Sequence, residues 1–287
     1  MPDDFSAART APVHVTVWDD GAGPGAARVL LVHGTMTWGT ESFAEQRPLA
    51  RRFRLEVMDR RGYGGSPDTA RSDYEADASD IAGVLARTPE GAHLVGHSYG
   101  GVSAMFAAAR HPRLVRSLTL IEPSALRAAE HDPVVAAALT RMRAAFSPPP
   151  DDMTAEDFLT VSTEPYGLPV PEFTPQRLRA TRTAMRERAA WEAEIPLAPL
   201  AAAPFPKLVL NGTWETADPE HRAFNGDAMA ACGRTVATLI GARHITVPAT
   251  AHDPHRDRPT DVNPVLATHW SPPAGPVPGP RNQRAGG

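Results

Sequence analysis

The stretch that decides the fold is Gly96-His97-Ser98-Tyr99-Gly100-Gly101. It follows a strand-like run, Ala92–Val95, and precedes an alanine-rich helical stretch, Val102–Arg110. A serine between glycines at a strand-to-helix junction is the Gly-x-Ser-x-Gly pattern, whose sharp turn holds the central residue in a strained conformation. The strain lifts the hydroxyl clear of the sheet, and the helix N-terminus favours negative charge beside it. The pattern therefore predicts that Ser98 is a nucleophile.

Outside this motif, strand-like and helix-like segments alternate. The sequence predicts strands at Val13–Trp18, Val29–His33, Phe53–Met58, Leu114–Ile121, Lys207–Leu210 and Ile245–Val247, and helices at 74–87, 219–233 and 260–268. Strands that alternate with helices indicate an α/β fold, with a mostly parallel central sheet flanked by helices.

The alternation is interrupted between residues 124 and 202, where two helix-like stretches, Val134–Phe146 and Gln176–Trp191, flank loops rich in proline. Long irregular segments in compact domains are usually lids or binding loops. We therefore expect a core formed by residues 1–123 and 203–270, with a helical lid inserted at 124–202. Residues 271–287 are rich in proline and glycine and predict a disordered tail.

Two further stretches strengthen the interpretation of the motif. Val29-Leu30-Leu31-Val32-His33-Gly34-Thr35 is a strand followed by a His-Gly turn, and Asp59-Arg60-Arg61-Gly62-Tyr63-Gly64-Gly65-Ser66 is a glycine-rich loop. Together with the serine motif, and in this order, they resemble the α/β-hydrolase superfamily. The resemblance implies an α/β-hydrolase fold and a serine esterase-like enzyme. It also implies that the backbone N–H groups of Thr35 and Tyr99 form the oxyanion hole.

A serine nucleophile needs a base, and in this fold the histidine comes last along the chain. Active sites of open parallel sheets lie beyond the carboxyl ends of the strands. His252 follows the last predicted strand, within Ala251-His252-Asp253-Pro254, and is the predicted base. His244 stands at the opposite end of that strand, and His255 is the fallback. The density of His and Asp over 252–257 lacks the spacing of a metal site, so we predict no metal.

Three carboxylates are candidates for the acid that orients the base. The resemblance places it three residues after Gly212, where Glu215 stands. Asp218 is the main alternative, although Asp218-Pro219-Glu220 also reads as a helix N-cap with proline at the first helical position. Glu122, at the end of the strand before the insertion, is the second alternative.

Composition limits the classes of partner. The net charge of −4 gives no electrostatic reason for binding nucleic acid or an anionic membrane surface. A single cysteine, Cys232, excludes an intrachain disulfide and favours a reducing compartment. The acidic N-terminus lacks the features of a signal peptide, and no apolar run is long enough to span a membrane. We therefore expect a cytoplasmic protein; the sequence does not determine its oligomeric state.

These features predict a hydrolase that acts on a small-molecule substrate without a cofactor. Ser98, His252 and Glu215 would cleave a small or medium ester or lactone through an acyl-enzyme. Met36, Trp38 and Trp214 lie near the motifs and are candidate pocket residues, although both tryptophans could equally pack the core. The alternatives are an acyltransferase or perhydrolase, an aminopeptidase that uses acidic residues of the insertion (Glu156, Asp157, Glu164 and Glu172), and a hydrolase-like binding protein without activity.

Overall fold

Seven strands form one sheet at the centre of the molecule. A computed structural model describes residues 11–145 and 148–271. The strands are β1 (Val15–Trp18), β2 (Arg28–Val32), β3 (Arg54–Met58), β4 (Ala92–His97), β5 (Val115–Ile121), β6 (Lys207–Gly212) and β7 (Arg243–Val247). Their order in the sheet is β1-β3-β2-β4-β5-β6-β7, and only β1 runs antiparallel to its neighbour.

From β2 onward, helices lie between successive strands, as a parallel sheet requires. They are α1 (Gly39–Ser42), α2 (Tyr74–Leu85), α3 (Tyr99–Arg110), α4 (Pro133–Ala145), α5 (Ala155–Val161), α6 (Pro175–Ala184), α7 (Leu197–Ala202), α8 (Pro219–His221), α9 (Asp227–Ile240), α10 (Pro254–Asp257) and α11 (Pro259–Trp270). Short 3-10 helices occupy Ala44–Arg51, Pro112–Leu114, Leu126–Ala129, Glu164–Tyr166 and Ala190–Glu192. In the described part of the chain, no helix combines the length and the apolar character that crossing a bilayer needs.

The central strands are buried on both faces because helices cover both sides of the sheet, whereas the edge strands β1 and β7 are partly exposed. Val29, Leu30, Leu31 and Val32 of β2 have no exposed surface, and the apolar core divides into one cluster on each face. The fold class predicted from the sequence is confirmed, and the predicted strand limits agree with the observed ones to within a few residues.

Two predicted helices differ from the structure. The helix predicted at Gln176–Trp191 ends at Ala184, and the helix predicted at 219–233 is interrupted by a π-helical turn, Arg222–Gly226, before α9. Residues 272–287 of the predicted disordered tail lie outside the described residues. Segment 124–202, called the inserted segment below, connects the adjacent strands β5 and β6 and contains α4 to α7.

Strand register brings the predicted motifs to one edge of the sheet. Val32 of β2 pairs with Gly96 of β4, so the loop that begins at His33 lies beside the turn at Ser98. Ile121 of β5 pairs with Leu210 of β6, and Gly212 of β6 pairs with Val247 of β7. The carboxyl ends of five neighbouring strands therefore meet on the side where Ser98 lies, as the general rule for such sheets requires.

Candidate active site

Ser98 occupies a strained turn between β4 and α3. Its φ of 53° and ψ of −118° lie outside the regions that residues with a side chain normally adopt. The two glycines of the motif permit the turn: a Cβ atom on Gly96 would lie 2.4 Å from the carbonyl oxygen of Gly100, and one on Gly100 would lie 2.4 Å from that of His33. Both distances are far below van der Waals contact. The surrounding backbone therefore requires glycine at both positions and holds Ser98 in the strained conformation.

The side chain of His252 reaches Ser98 from the loop after β7. Its Nε2 atom lies 2.9 Å from Ser98 Oγ. The backbone of His252 is held by His97, whose Nε2–H donates to the carbonyl oxygen of His252 at 3.0 Å. His244 lies within β7 and its Nε2 is 3.1 Å from Asn211 Oδ1, while the buried His255 donates through Nε2 to the carbonyl oxygen of Ser42 at 3.0 Å. Of the three histidines considered from the sequence, His252 is the one whose ring hydrogen-bonds to the serine.

The carboxylate nearest to Nδ1 of His252 belongs to Glu122 and not to Glu215. Glu122 Oε2 lies 3.7 Å from His252 Nδ1, and its side chain has no exposed surface. Its other oxygen, Oε1, accepts hydrogen bonds from the backbone N–H of Gly212 at 2.7 Å and from the indole N–H of Trp214 at 3.2 Å. Glu122 follows β5 directly and has a φ of 44°. These contacts aim one carboxylate oxygen at the imidazole.

Glu215 and Asp218, the two carboxylates preferred from the sequence, lie elsewhere. Glu215 is exposed and accepts a hydrogen bond from the backbone N–H of Ala249 at 2.9 Å. Asp218 caps α8, with its Oδ1 accepting from Glu220 N at 2.9 Å, which is the capping role that its sequence context indicated. Glu215 therefore does not lie beside His252, where the sequence led us to expect it. After β6 the chain places Trp214 against Glu122, and the following residue faces solvent.

Electrostatics around His252 favour its charged form. Burial lowers the pKa of the imidazole, but the Glu122 and Asp253 carboxylates outweigh it and hold the pKa above its ordinary value of 6.5. Burial raises the pKa of Asp253, yet the histidines at 97, 252 and 255 bring it down to about 2. Two negative charges thus lie near the ring that would receive a proton from Ser98.

Two backbone N–H groups beside Ser98 are free to bind an oxyanion. Within residues 11–145 and 148–271, neither Thr35 N nor Tyr99 N donates a hydrogen bond to another residue. Tyr99 is the first residue of α3, and Gly34, next to Thr35, packs so closely on the nucleophile that an added Cβ would lie 3.0 Å from Ser98 Cβ. Both N–H groups therefore lie beside Ser98 without an acceptor among the described residues.

A cavity of about 430 Å³ opens above the serine. It is lined by core residues (Thr35, Met36, Thr37, His97, Ser98, His221, Phe224, Asn225, His252, Asp253 and Arg256) and by residues of the inserted segment (Met142, Leu159, Ser162, Thr163, Leu168, Pro171 and Arg177). Of the three pocket residues expected from the sequence, Met36 lines this cavity. Trp38 packs under the guanidinium of Arg177, with Cζ 4.9 Å from the ring centroid, and Trp214 is 1% exposed and lies behind His252. The cavity size is within the range of small-ligand sites.

Sequence reasoning missed one hydroxyl at the nucleophile. Ser124 Oγ lies 3.1 Å from Ser98 Oγ, and the backbone N–H of Ser124 donates to the carbonyl oxygen of Ser98 at 3.2 Å. Its only signal in the sequence is that it follows β5 within two residues of Glu122.

His97, Asp253 and His255 are the group in the described residues whose donor atoms could approach one metal ion, since one atom of each lies within 4.8 Å of the others. Both Nε2 atoms, however, already donate to carbonyl oxygens, those of His252 and Ser42. The rings of His97 and His255 therefore hold the backbone around the site in place.

Comparison with known proteins identifies the family. The model of the family described as "Alpha/beta hydrolase family" matches residues 29–265. The chain belongs to the alpha/beta hydrolase family. Among solved structures, an enol-lactonase from Burkholderia xenovorans shares the fold with a TM-score of 0.58 at 20% identity, covering 90% of this chain and 95% of that one. An alpha/beta hydrolase from Sphaerobacter thermophilus has a TM-score of 0.62 at 21% identity, covering 90% and 96%.

Curated relatives of the hydrolase match over a shorter region. A pimeloyl-(acyl-carrier protein) methyl ester esterase from Chromobacterium violaceum is 40% identical over 109 residues, which are 36% of this chain and 39% of that protein. A 2-(acetamidomethylene)succinate hydrolase from Mesorhizobium japonicum is 38% identical over 117 residues, 38% of this chain and 39% of that protein. The chain thus matches about two fifths of the length of these relatives.

Proposed function

We propose that this hydrolase cleaves a small or medium carboxylic ester or lactone through an acyl-enzyme on Ser98. The observation that carries the proposal is the chain of contacts from Ser98 Oγ to His252 Nε2 at 2.9 Å and from His252 Nδ1 to Glu122 Oε2 at 3.7 Å. In this proposal Glu122 replaces Glu215 as the orienting acid. Acyl transfer needs a nucleophile, a base and an orienting acid, connected in this order.

In the first half-reaction, Ser98 Oγ attacks the carbonyl carbon and its proton passes to His252 Nε2. The negative oxygen that develops on the carbonyl accepts hydrogen bonds from Thr35 N–H and Tyr99 N–H. One such donor contributes about 10²–10³ in kcat. The imidazolium is stabilised by the buried Glu122 carboxylate. The tetrahedral intermediate then collapses, its bond to the leaving oxygen breaks, and His252 returns the proton to the alcohol.

In the second half-reaction, water replaces the alcohol. His252 takes a proton from the water, the hydroxide attacks the acyl carbon, and the same two N–H groups hold the oxyanion. Collapse breaks the bond to Ser98 Oγ, which recovers its proton from His252, and the carboxylic acid leaves.

The cavity lining favours an uncharged acyl group over a peptide N-terminus. Met142, Leu159 and Leu168 provide an apolar wall, and in the described part of the inserted segment no carboxylate lines the cavity. Asp157 instead forms a capping box with Thr154 at the start of α5, which is a structural role. Asp253 of the core also lines the cavity, but its Oδ1 lies 3.6 Å from His97 Nε2 and is paired with that ring. The described part of the inserted segment thus offers no carboxylate for the ammonium that an aminopeptidase substrate carries, and the ester or lactone is the better-supported substrate. The two curated relatives are named as an ester esterase and a hydrolase of a succinate derivative, and these names support hydrolysis as the reaction.

The test is the hydrolysis of p-nitrophenyl esters of graded acyl length by the wild type and by Ser98→Ala. Each methylene group that enters the apolar part of the cavity is expected to raise kcat/KM by up to about fourfold, because burying a CH₂ contributes about 0.8 kcal/mol. The rise should stop, and then reverse, when the acyl chain outgrows the cavity. Ser98→Ala should lose nearly all activity and should not be labelled by a fluorophosphonate, whereas the wild type should be labelled on the peptide that contains Ser98.

Equal activity in Ser98→Ala would contradict the proposal. Absence of both labelling and turnover in the wild type would favour a binding protein. Added alcohol, thiol or peroxide distinguishes hydrolysis from acyl transfer: a hydrolase releases p-nitrophenol at a rate that these nucleophiles leave nearly unchanged when acylation limits the rate, and it forms mainly the free acid. If the transfer product dominates at low nucleophile concentration, the enzyme is an acyltransferase or perhydrolase.

A further inference from the structure

Glu187 of the inserted segment extends its carboxylate into the loops beneath the oxyanion hole. Its side chain is 10% exposed. One oxygen, Oε1, accepts from Arg60 Nη2 at 2.6 Å and from Tyr63 OH at 2.6 Å, and the other, Oε2, accepts from the hydroxyl of Thr35. Ser72 Oγ also donates to Oε1, at 3.4 Å, so four donors from two separate core loops converge on one carboxylate that comes from the inserted segment.

The partner of that carboxylate is a fully buried cation. Arg60 has no exposed side-chain surface and lies between the rings of Tyr63 and Tyr99, whose centroids are 4.5 and 4.2 Å from its Cζ. Its Nη1 donates to Asp77 at 3.0 Å, so the guanidinium pairs with two carboxylates, Asp77 and Glu187. A buried cation is costly unless carboxylates balance it, and without the charge of Glu187 the guanidinium would keep only Asp77.

The guanidinium fixes the peptide that carries the first oxyanion donor. Arg60 Nη2 donates to the carbonyl oxygen of Gly34 at 2.9 Å, and His33 Nδ1 lies 2.7 Å from the same oxygen. The Gly34 carbonyl and the Thr35 N–H belong to one planar trans peptide, so they point in opposite directions. Two donors on the carbonyl therefore fix the N–H of Thr35 away from Arg60, and they also polarise it into a stronger donor.

The same guanidinium supports the second donor. The ring of Tyr99, whose backbone N–H is the other oxyanion group, stacks on Arg60. A carboxylate on Arg60 thus acts on both donors at once, although it touches neither the substrate nor Ser98.

We infer that Glu187 is a positioning residue for the oxyanion hole, and that the hole is fully formed only when the inserted segment seats this carboxylate on Arg60 and Thr35. The inference rests on the proposed serine-hydrolase function. It gives the inserted segment a part in transition-state stabilisation as well as in lining the cavity.

The test compares Glu187→Gln with Glu192→Gln. Glutamine keeps the shape and one acceptor oxygen at position 187 but removes the charge that balances Arg60. Glu192 is in the same segment and also pairs with an arginine, Arg143, at 2.5 Å, yet it contacts no oxyanion loop. We expect Glu187→Gln to lower kcat about 10- to 100-fold with KM changed less than about threefold, because deleting a donor outright costs about 10²–10³. Glu192→Gln should retain the kcat and KM of the wild type.

A second readout separates positioning from folding. The concentration of active sites is titrated to completion with a fluorophosphonate, and kcat is expressed per labelled Ser98. The inhibition constant of a trifluoromethyl ketone, which forms an oxyanion adduct with the serine, should rise in Glu187→Gln by the same factor as kcat/KM falls. The affinity for the carboxylic acid product should stay constant. Glu187→Asp, which retains the buried charge and therefore the fold, should give an intermediate kcat.

A normal kcat per labelled site in both variants, with an unchanged ketone inhibition constant, would overturn the inference. So would an equal loss in Glu192→Gln. These results are distinguishable from failure of the proposed function, because in that case the wild type itself would show no labelling at Ser98.

Discussion

Replacing Glu122 with glutamine tests the catalytic arrangement most directly. Glu122 Oε1 is held by two donors, Gly212 N–H at 2.7 Å and the indole N–H of Trp214 at 3.2 Å. The amide oxygen of a glutamine will keep that position because both partners can only donate. The amide NH₂ must then occupy the place of Oε2, 3.7 Å from His252 Nδ1. Closing this gap by about 0.7 Å brings the NH₂ within hydrogen-bond distance of Nδ1, and its donation there forces the ring proton onto Nε2.

A histidine that carries its proton on Nε2 cannot accept the proton of Ser98. An Asp-to-Asn change that produces this wrong tautomer in a serine protease lowers kcat about 10⁴-fold. We expect a loss of the same order for Glu122→Gln, equivalent to about 5.4 kcal/mol of transition-state stabilisation at 1.36 kcal/mol for each factor of ten. KM should change little, because Glu122 is fully buried and lies outside the cavity lining.

The assay is steady-state hydrolysis of a p-nitrophenyl ester, with thermal unfolding measured on each variant to show that the fold is retained. Glu215→Gln is the matched control: its side chain is exposed and keeps an acceptor for Ala249 N–H, so activity should change less than about twofold. A large loss in Glu215→Gln together with near-normal activity in Glu122→Gln would refute the assignment of Glu122 as the orienting acid.

Two further predictions concern pH and backbone packing. The pKa of His252 is raised above 6.5, and the neutral ring is the base, so kcat/KM of the wild type should fall as the pH drops through a midpoint above 6.5. Glu122→Gln should move that midpoint to lower pH. A wild-type midpoint below 6.5 would contradict the prediction. Gly100→Ala should lower the free energy of unfolding by about 3 kcal/mol, since its Cβ would lie 2.4 Å from a backbone oxygen, whereas Gly83→Ala on the exposed side of α2 should raise it by about 1 kcal/mol. Urea denaturation checks both changes, and equal effects would contradict the packing argument.

The family and the turn that carries Ser98 could be predicted from the sequence because both depend on local patterns. The glycines around Ser98 are needed where an added Cβ would collide with backbone, so the turn leaves its mark in consecutive residues. His252 could be selected because strand polarity places the loop after β7 at the carboxyl edge of the sheet. Alternation of apolar strands and helices predicted the sheet for the same reason, since burial on both faces imposes a continuous apolar run.

The acid could not be selected in this way. Glu122, Glu215 and Asp218 all follow strands that end at the same edge, and the sequence contains no measure of which carboxylate turns inward. The choice depends on a contact between residues 90 apart, in which Gly212 N–H and Trp214 draw the buried Glu122 toward His252. Glu187 was equally hidden, because its partners Thr35, Arg60 and Tyr63 lie more than 120 positions away along the chain.

Ser98 shows which features depend on the local sequence and which depend on the tertiary structure. The sequence by itself determined the strand–turn–helix that exposes its hydroxyl, because the steric limits on a sharp turn act between neighbours. Only the tertiary structure decided which carboxylate lies beside His252 and which charges surround Arg60. Those contacts join distant parts of the chain, and their geometry exists only once the sheet has brought five strand ends together.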